Sequence, residues 1–164
     1  MSKFTMRERL WRPRGIVTIR VFKDSEFIRQ VRGRNLFVNA GAIALARLLH
    51  GVANNTTAVI GFGTGSSGPL VTDTALDAGV YYKAIDSASD DGAGNETINW
   101  SLTPTDYGTT GGFTLWELGL FANYTSVSLP GVTAPVPMFA HKVLASSVGF
   151  GSGFTLTGTW ELSF

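Results

Sequence analysis

Residues 34–76 constrain the fold of this chain more than any other stretch, because they join strand, helix and glycine-rich loop signals in close succession. Residues 34–41 read RNLFVNAG, a short apolar strand that leads into a helix over residues 40–50. A second apolar strand over residues 57–62 breaks into Gly63-Thr64-Gly65. The residues before this stretch predict a basic arm and a hairpin, and those after it predict further strands. The pattern indicates a β-rich domain built around one helix.

The helix over residues 40–50 is expected to be buried along much of its circumference. Asn39 suits the N-cap position, where its side-chain oxygen can accept a backbone amide proton. The apolar positions at helical spacing are Ile43, Leu45, Ala46, Leu48 and Leu49. A helix with so wide an apolar face packs most simply on a sheet. We therefore place Leu45 and Leu49 in the structural core.

The rest of the chain reads as strands separated by turn signals at intervals of about ten residues. The 164 residues are 44% hydrophobic and 15% charged, which suits one domain with a substantial core. We count about eight strands and predict an all-β fold, a single β-sandwich or jelly-roll-like domain over residues 15–164 with one short packed helix. Residues 1–14 form a basic N-terminal arm. The remaining predicted core residues are Trp100, Trp116, Leu118, Leu120 and Trp160.

Residues 15–33 predict a β-hairpin with its turn at residues 23–26. Its first strand alternates Val17, Ile19 and Val21 with polar residues. In the return strand Ile28 and Val31 are three positions apart, which breaks the alternation and indicates a β-bulge or a change of face.

Glu117 lies inside the apolar run of residues 113–121. A strand apolar on both faces is buried, and an unpaired buried carboxylate costs several kcal/mol. We therefore expect Glu117 to be hydrogen-bonded or charge-paired within the core, in a structural role.

The net charge of +1 conceals a strong asymmetry along the chain. Residues 1–50 carry eleven Lys or Arg against three acids, which gives +8, whereas residues 51–164 carry two against nine, which gives −7. Complementary halves of this kind favour docking between subunits over nucleic-acid binding. The arm mixes bases with apolar side chains, and its expected partner-docking residues are Phe4, Arg7, Arg9, Leu10, Trp11, Arg12 and Arg14.

The sequence offers no convincing catalytic, cofactor or metal motif. Gly63-x-Gly65-x-x-Gly68 matches a dinucleotide-binding pattern in form, but Pro69 follows and no helical stripe opens there. We interpret these glycines as permitting left-handed turns and close backbone packing. With two histidines, His50 and His141, and no cysteine, neither a zinc site nor a catalytic base beside a nucleophile is indicated. We expect a protein that is not an enzyme and that needs no cofactor.

Several segments together resemble a family of small structural proteins of tailed bacteriophages. They are residues 33–41 (GRNLFVNAG), residues 61–65 (GFGTG) with Pro69 and residues 73–76 (DTAL), residues 116–121 (WELGLF) and residues 159–164 (TWELSF). With the upstream hairpin, the resemblance spans roughly residues 15–164. It implies a virion protein encoded near tail genes, with a role in assembly rather than catalysis.

The resemblance leaves the part of the particle open. Our leading expectation is a non-enzymatic subunit of the tail or tail-fibre region, assembled in the host cytoplasm and docking through its arm and hairpin. Its partners would be other virion proteins and further copies of itself, with no membrane and no nucleic acid. A capsid cement or decoration protein is an alternative. A glycan-binding module is another, using loop aromatics such as Tyr81, Tyr82, Tyr107 and Tyr124.

Overall fold

A computed structural model describes residues 13–49, 57–107, 111–123 and 137–163. The described chain is an all-β sandwich of two five-stranded antiparallel sheets with two short helices, which confirms the predicted fold class. Ten strands are present where about eight were predicted. In order the elements are β1 (Arg14–Lys23), β2 (Glu26–Arg34), β3 (Leu36–Phe37), α1 (Asn39–Leu49), β4 (Thr57–Gly63), β5 (Gly79–Ala84), β6 (Ser87–Asp90), β7 (Asn95–Leu102), α2 (Pro104–Tyr107), β8 (Phe113–Asn123), β9 (Met138–Phe150) and β10 (Phe154–Ser163).

The first sheet, sheet A, has the strand order β2-β1-β10-β7-β6. Its β1–β2 hairpin turns at Asp24 and Ser25, which both have positive φ, as a tight two-residue hairpin turn requires. Val21 pairs with Arg29 and Phe22 with Phe27, so Ile28 is the extra residue of a β-bulge. The predicted hairpin and its bulge are both confirmed.

The second sheet, sheet B, has the strand order β3-β9-β8-β4-β5. β9 and β10 follow each other closely in the chain but do not pair with each other. β9 pairs with β8 and β3 in sheet B, whereas β10 pairs with β1 and β7 in sheet A. The short connection around Gly151–Gly153 therefore crosses from one sheet to the other.

Between the sheets lies the main hydrophobic core. Trp100 and Trp160 from sheet A meet Leu118 and Leu120 from sheet B, all at most 2% exposed. Trp116, predicted to belong here, is only partly buried. The reason is an irregularity in β8: Leu115 pairs with Val148 and Glu117 with Val143, and the strand changes face between them.

A second, smaller core covers the outer face of sheet B. It consists of Val38, Val59, Leu76, Phe121 and Met138, with Ala40 and Tyr82 packed against them. Helix α1 lies on this face against β8 and β9.

The buried face of α1 differs from the predicted apolar stripe. Gly41 and Ala44 are buried, whereas Ile43 is 55% exposed and Leu45 only partly buried. Small residues face the sheet because the helix approaches β9 closely: a Cβ added at Gly41 would lie 2.5 Å from the carbonyl oxygen of Phe139. The side chain of Leu49 lies outside the described residues.

The segment after β5 is more regular than its sequence indicated. The Ser, Asp and Gly of residues 86–95 are typical of a loop, but Ser87–Asp90 forms β6, the outermost strand of sheet A. Ser, Ala and Asp rarely favour strands, so here pairing with β7 overrides local propensity. Among the described residues, no helix is long and apolar enough to cross a bilayer.

Candidate functional site

Glu117 is the most heavily bonded buried side chain of the described protein. It is 0% exposed and points to the outer face of sheet B, under the loop of residues 64–78. Its carboxylate accepts hydrogen bonds from the backbone amides of Gly65 (3.0 Å), Asp77 (3.0 Å) and Ala78 (2.8 Å). A buried carboxylate with so many donors is satisfied rather than strained. The expectation that Glu117 is hydrogen-bonded in the core agrees with this geometry.

His141, on the neighbouring strand β9, joins Glu117 to the same loop. Its Nε2 lies 2.9 Å from Glu117 Oε2, and its Nδ1 lies 2.7 Å from Asp73 Oδ2. Asp73 Oδ2 also accepts the amide of Leu70 at 2.7 Å. Glu117, His141 and Asp73 form a continuous network, called the buried cluster below. The cluster attaches the loop of residues 64–78 to sheet B at both ends of the loop and at its middle.

The protonation of the buried cluster follows from its geometry. Burial raises the pKa of Glu117, but the bonds from His141 and from three amides outweigh burial and leave the pKa below 4.5. Burial lowers the pKa of His141, but hydrogen bonds to Glu117 and Asp73 raise it above 6.5. Both ring nitrogens of His141 lie within hydrogen-bond distance of a carboxylate oxygen, and this geometry favours the protonated ring because only an imidazolium can donate from both nitrogens.

The glycines of residues 61–65 make room for this arrangement. A Cβ on Gly65 would lie 2.5 Å from Glu117 Oε1, and one on Gly63 would clash with the same carboxylate. Among the described residues, positive φ occurs at other glycines, Gly92, Gly94 and Gly153. Close packing, and not a left-handed turn, thus explains this part of the motif, and our left-handed interpretation was wrong.

The polar groups of the buried cluster are bonded to one another and to the loop of residues 64–78. Both ring nitrogens of His141 are engaged by carboxylates, so the ring has no nitrogen left to accept a proton from a nucleophile. Within the described ranges, no group of three or more His, Asp or Glu is arranged to hold a metal ion. Its chemistry is that of a structural ion network.

An exposed surface of a different kind lies at the edge of sheet A. Strand β2 is the outermost strand there, and the bulge region displays Phe27 and Ile28 at 58% and 52% exposure. Arg29, Arg32 and Arg34 on the same strand are also exposed. We call this strand the β2 edge. Apolar side chains flanked by arginines on a free strand are typical of an interaction surface.

The tyrosines considered for glycan binding are occupied in packing. Tyr81 stacks on Phe62 at 6.3 Å and meets Tyr107 edge-on at 5.8 Å. Tyr82 meets Phe121 edge-on at 5.5 Å. These three rings build aromatic clusters within the domain rather than an exposed platform. Tyr124 lies outside the described residues.

Most of the predicted docking residues also lie outside the described residues. They are Phe4, Arg7, Arg9, Leu10, Trp11 and Arg12. Arg14, assigned to the arm from its sequence, opens β1 and pairs with Ser163, so the sheet begins one residue earlier than predicted. The sequence singled out Glu117, but neither His141 as its partner nor Asp73 as its indirect partner was predicted. The sequence did contain a signal for this network: a single histidine and a single acid, each surrounded by apolar residues or glycines.

The chain was compared with protein-family models, with curated proteins and with solved structures, and none of them matches it.

Proposed function

We propose that this chain is a non-enzymatic structural subunit of a tailed-bacteriophage virion, in the tail or tail-fibre region. It docks to neighbouring virion proteins through its N-terminal arm and the β1–β2 hairpin. The proposal combines the resemblance noted above with the surface that the hairpin presents. The phage setting depends on the resemblance, and the docking role depends on the surface.

The observation that carries the docking role is the exposure of Phe27 and Ile28 on the β2 edge. Isolated exposed apolar residues are ordinary on protein surfaces, but two adjacent ones on an outermost strand form a natural anchor. The three arginines beside them supply steering and specificity toward an acidic partner. The body of this chain is acidic: residues 51–164 carry two Lys against nine Asp or Glu.

The buried cluster contributes rigidity in this account. By fixing the loop of residues 64–78 on sheet B, it gives the sandwich a covered outer face that needs no disulfide. Subunits of a large assembly benefit from rigid surfaces, because ordering a flexible segment costs about 1–2 kcal/mol per residue on docking.

The test uses a phage that lacks the gene for this chain and is complemented in trans. Two variants address the surface: deletion of residues 2–12, which leaves β1 whole, and the double substitution Phe27→Ser with Ile28→Ser. Leu70→Ser is the matched control, because Leu70 is 62% exposed but lies far from the hairpin, on the loop over sheet B. Copies per purified particle are measured by quantitative mass spectrometry.

We expect the hairpin variant and the deletion to lower incorporation at least about tenfold, since losing two anchors removes more than 1.4 kcal/mol. The free variants should melt near the wild-type temperature, and Leu70→Ser should incorporate normally. Normal incorporation of both surface variants would refute the docking role. Incorporation into the capsid instead of the tail would establish the decoration-protein alternative.

A further inference from the structure

We propose that copies of this chain associate head to tail through the two opposite edges of sheet A. The β2 edge of one copy lies against strand β6 of the next. The inference rests on the assembly role proposed above and adds the partner, a second copy of the chain, and the acceptor surface. Both strands are outermost in sheet A, and β6 is exposed along its full length.

The two edges carry opposite charge. Residues 26–34 contain three arginines and one glutamate, which gives +2, and residues 86–91 contain three aspartates and no base, which gives −3. Asp86 is paired with Lys83 at 3.6 Å, while Asp90 and Asp91 bond to backbone amides of their own turn. Arg32 of the β2 edge forms an exposed ion pair at 3.8 Å with Glu161 of β10, and an ion pair this exposed is weak.

The face of sheet A between the two edges is mostly neutral and hydroxyl-rich. One row of paired residues runs across it as Arg32, Thr18, Thr159, Asn99 and Ser87. Sheet A therefore changes from basic to acidic across its width, a span of about 19 Å for five strands. When a second copy is translated along the width of the sheet, the basic edge of one copy therefore meets the acidic edge of the other.

The charge pattern selects the type of contact. In a symmetric contact of β2 with β2, Arg29, Arg32 and Arg34 of one copy would lie near the same arginines of the other copy. In a contact of β6 with β6, aspartates would lie near aspartates. Like charges placed opposite each other are unfavourable, so both symmetric pairs are disfavoured. The basic-to-acidic contact is heterologous, which produces a closed ring or an open filament rather than a dimer.

Strand directions define the contact further. β1 is antiparallel to both β2 and β10, and β7 is antiparallel to both β10 and β6, so β2 and β6 run in the same direction. Copies related by rotation about an axis along the strands therefore meet as a parallel pair. Rings and filaments with strands along their axis have this geometry.

The first experiment is cross-linking, which the absence of cysteine from the chain makes clean. Gln30→Cys lies on the β2 edge and Ser89→Cys on β6, both exposed and neutral, so the charges stay intact. Within one copy the two positions are four strand spacings apart across the sheet and are also offset along the strands, so they are separated by at least about 19 Å. A short bismaleimide therefore joins them only between copies.

Head-to-tail association predicts a ladder of trimers, tetramers and larger species for the double-cysteine chain. Each single variant should stay monomeric, and an equimolar mixture of the two should give dimers and nothing larger. Gln30→Cys with Leu70→Cys is the control for random collision. The proposal would be overturned if the double-cysteine variant stayed monomeric. It would also be overturned if a single-cysteine variant formed cross-linked dimers as efficiently as the double variant.

The second experiment reverses charge at one edge at a time. Arg32→Glu with Arg34→Glu makes both edges acidic, and Asp86→Lys with Asp90→Lys makes both basic. In sedimentation velocity each variant alone should be monomeric, and the mixture should associate again. Wild-type association of either variant alone would contradict the proposal. The proposal would also be contradicted if deletion of residues 2–12 abolished association while both charge variants still associated. The arm, and not the β2 edge, would then lie against β6.

The two proposals fail in different ways. A chain that enters particles but forms no ladder keeps its virion role and loses the self-association. A chain that forms the ladder but is absent from purified particles keeps the self-association and loses the virion role.

Discussion

Glu117 and His141 are hydrogen-bonded at 2.9 Å across the neighbouring strands β8 and β9, with less than 2% of either residue exposed to solvent. The contact is part of a network that reaches Asp73 and three loop amides. The two side chains depend on each other, since removing either one would leave a buried polar atom of the other without its partner.

Replacing Glu117 should therefore lower the free energy of unfolding, and the loss should be larger when the new side chain can accept fewer hydrogen bonds. Glu117→Ala leaves His141 Nε2 and three backbone amides without their acceptor and should lower the free energy of unfolding by about 3–5 kcal/mol. Glu117→Gln keeps an acceptor oxygen and should cost less. Urea denaturation followed by tryptophan fluorescence measures both values. Equal and negligible losses would show that the cluster contributes nothing to stability.

The pH dependence of stability should show the cluster directly. The pKa of Glu117 is lowered on folding, so its contribution is present above about pH 4.5 and is lost as the pH falls through the folded value. The pKa of His141 is raised on folding, so its contribution is complete below about pH 6.5 and is lost as the pH rises through the folded value. The cluster should stabilise the fold most between these two limits.

The matching measurement is the difference in unfolding free energy between wild type and His141→Gln, taken from pH 4 to pH 9. The difference should be largest near pH 5–6 and should shrink on both sides. A difference that stays constant over the whole pH range would mean that folding does not change the pKa of His141.

The glycine-rich loop gives a prediction with a built-in control. Gly65→Ala places a methyl group against Glu117 and should destabilise by about 1–3 kcal/mol. A Cβ on Gly68 would meet nothing within 4 Å, so Gly68→Ala should be neutral or stabilise by up to about 1 kcal/mol. Thermal unfolding compares the two. Equal melting temperatures would contradict the close packing of Gly65.

Particular residues show how far the sequence determines this structure. The hairpin and its bulge were predictable because alternation and turn chemistry are local, as Ile28 illustrates. Glu117 was predictable as a buried carboxylate because its strand is apolar on both sides. Its partners were not, because His141 is 24 and Ala78 is 39 residues away. The pairing of β8 with β9 inside sheet B and the path of the loop of residues 64–78 bring them to Glu117. The face of α1 was misjudged because close approach to β9 selects Gly41 and Ala44 over the larger Ile43.

The two strand tryptophans should differ in their effect on stability. Trp100 is 1% exposed in the main core, so Trp100→Ala should cost about 3–5 kcal/mol. Trp116 lies at the irregularity of β8 and is partly exposed, so Trp116→Ala should cost clearly less. Chemical denaturation of both variants measures the difference. A larger loss for Trp116 than for Trp100 would contradict the described packing of β8.

The central claim, that this chain is a structural subunit of a virion, is tested most directly by cryo-EM reconstruction of the intact particles of the phage that encodes it. The account predicts density for a sandwich of two five-stranded sheets in the tail or tail-fibre region. The hairpin of residues 14–34 should contact a neighbouring subunit, and the β2 edge should face strand β6 of another copy. Particles that are complete, infectious and devoid of this chain would contradict the claim.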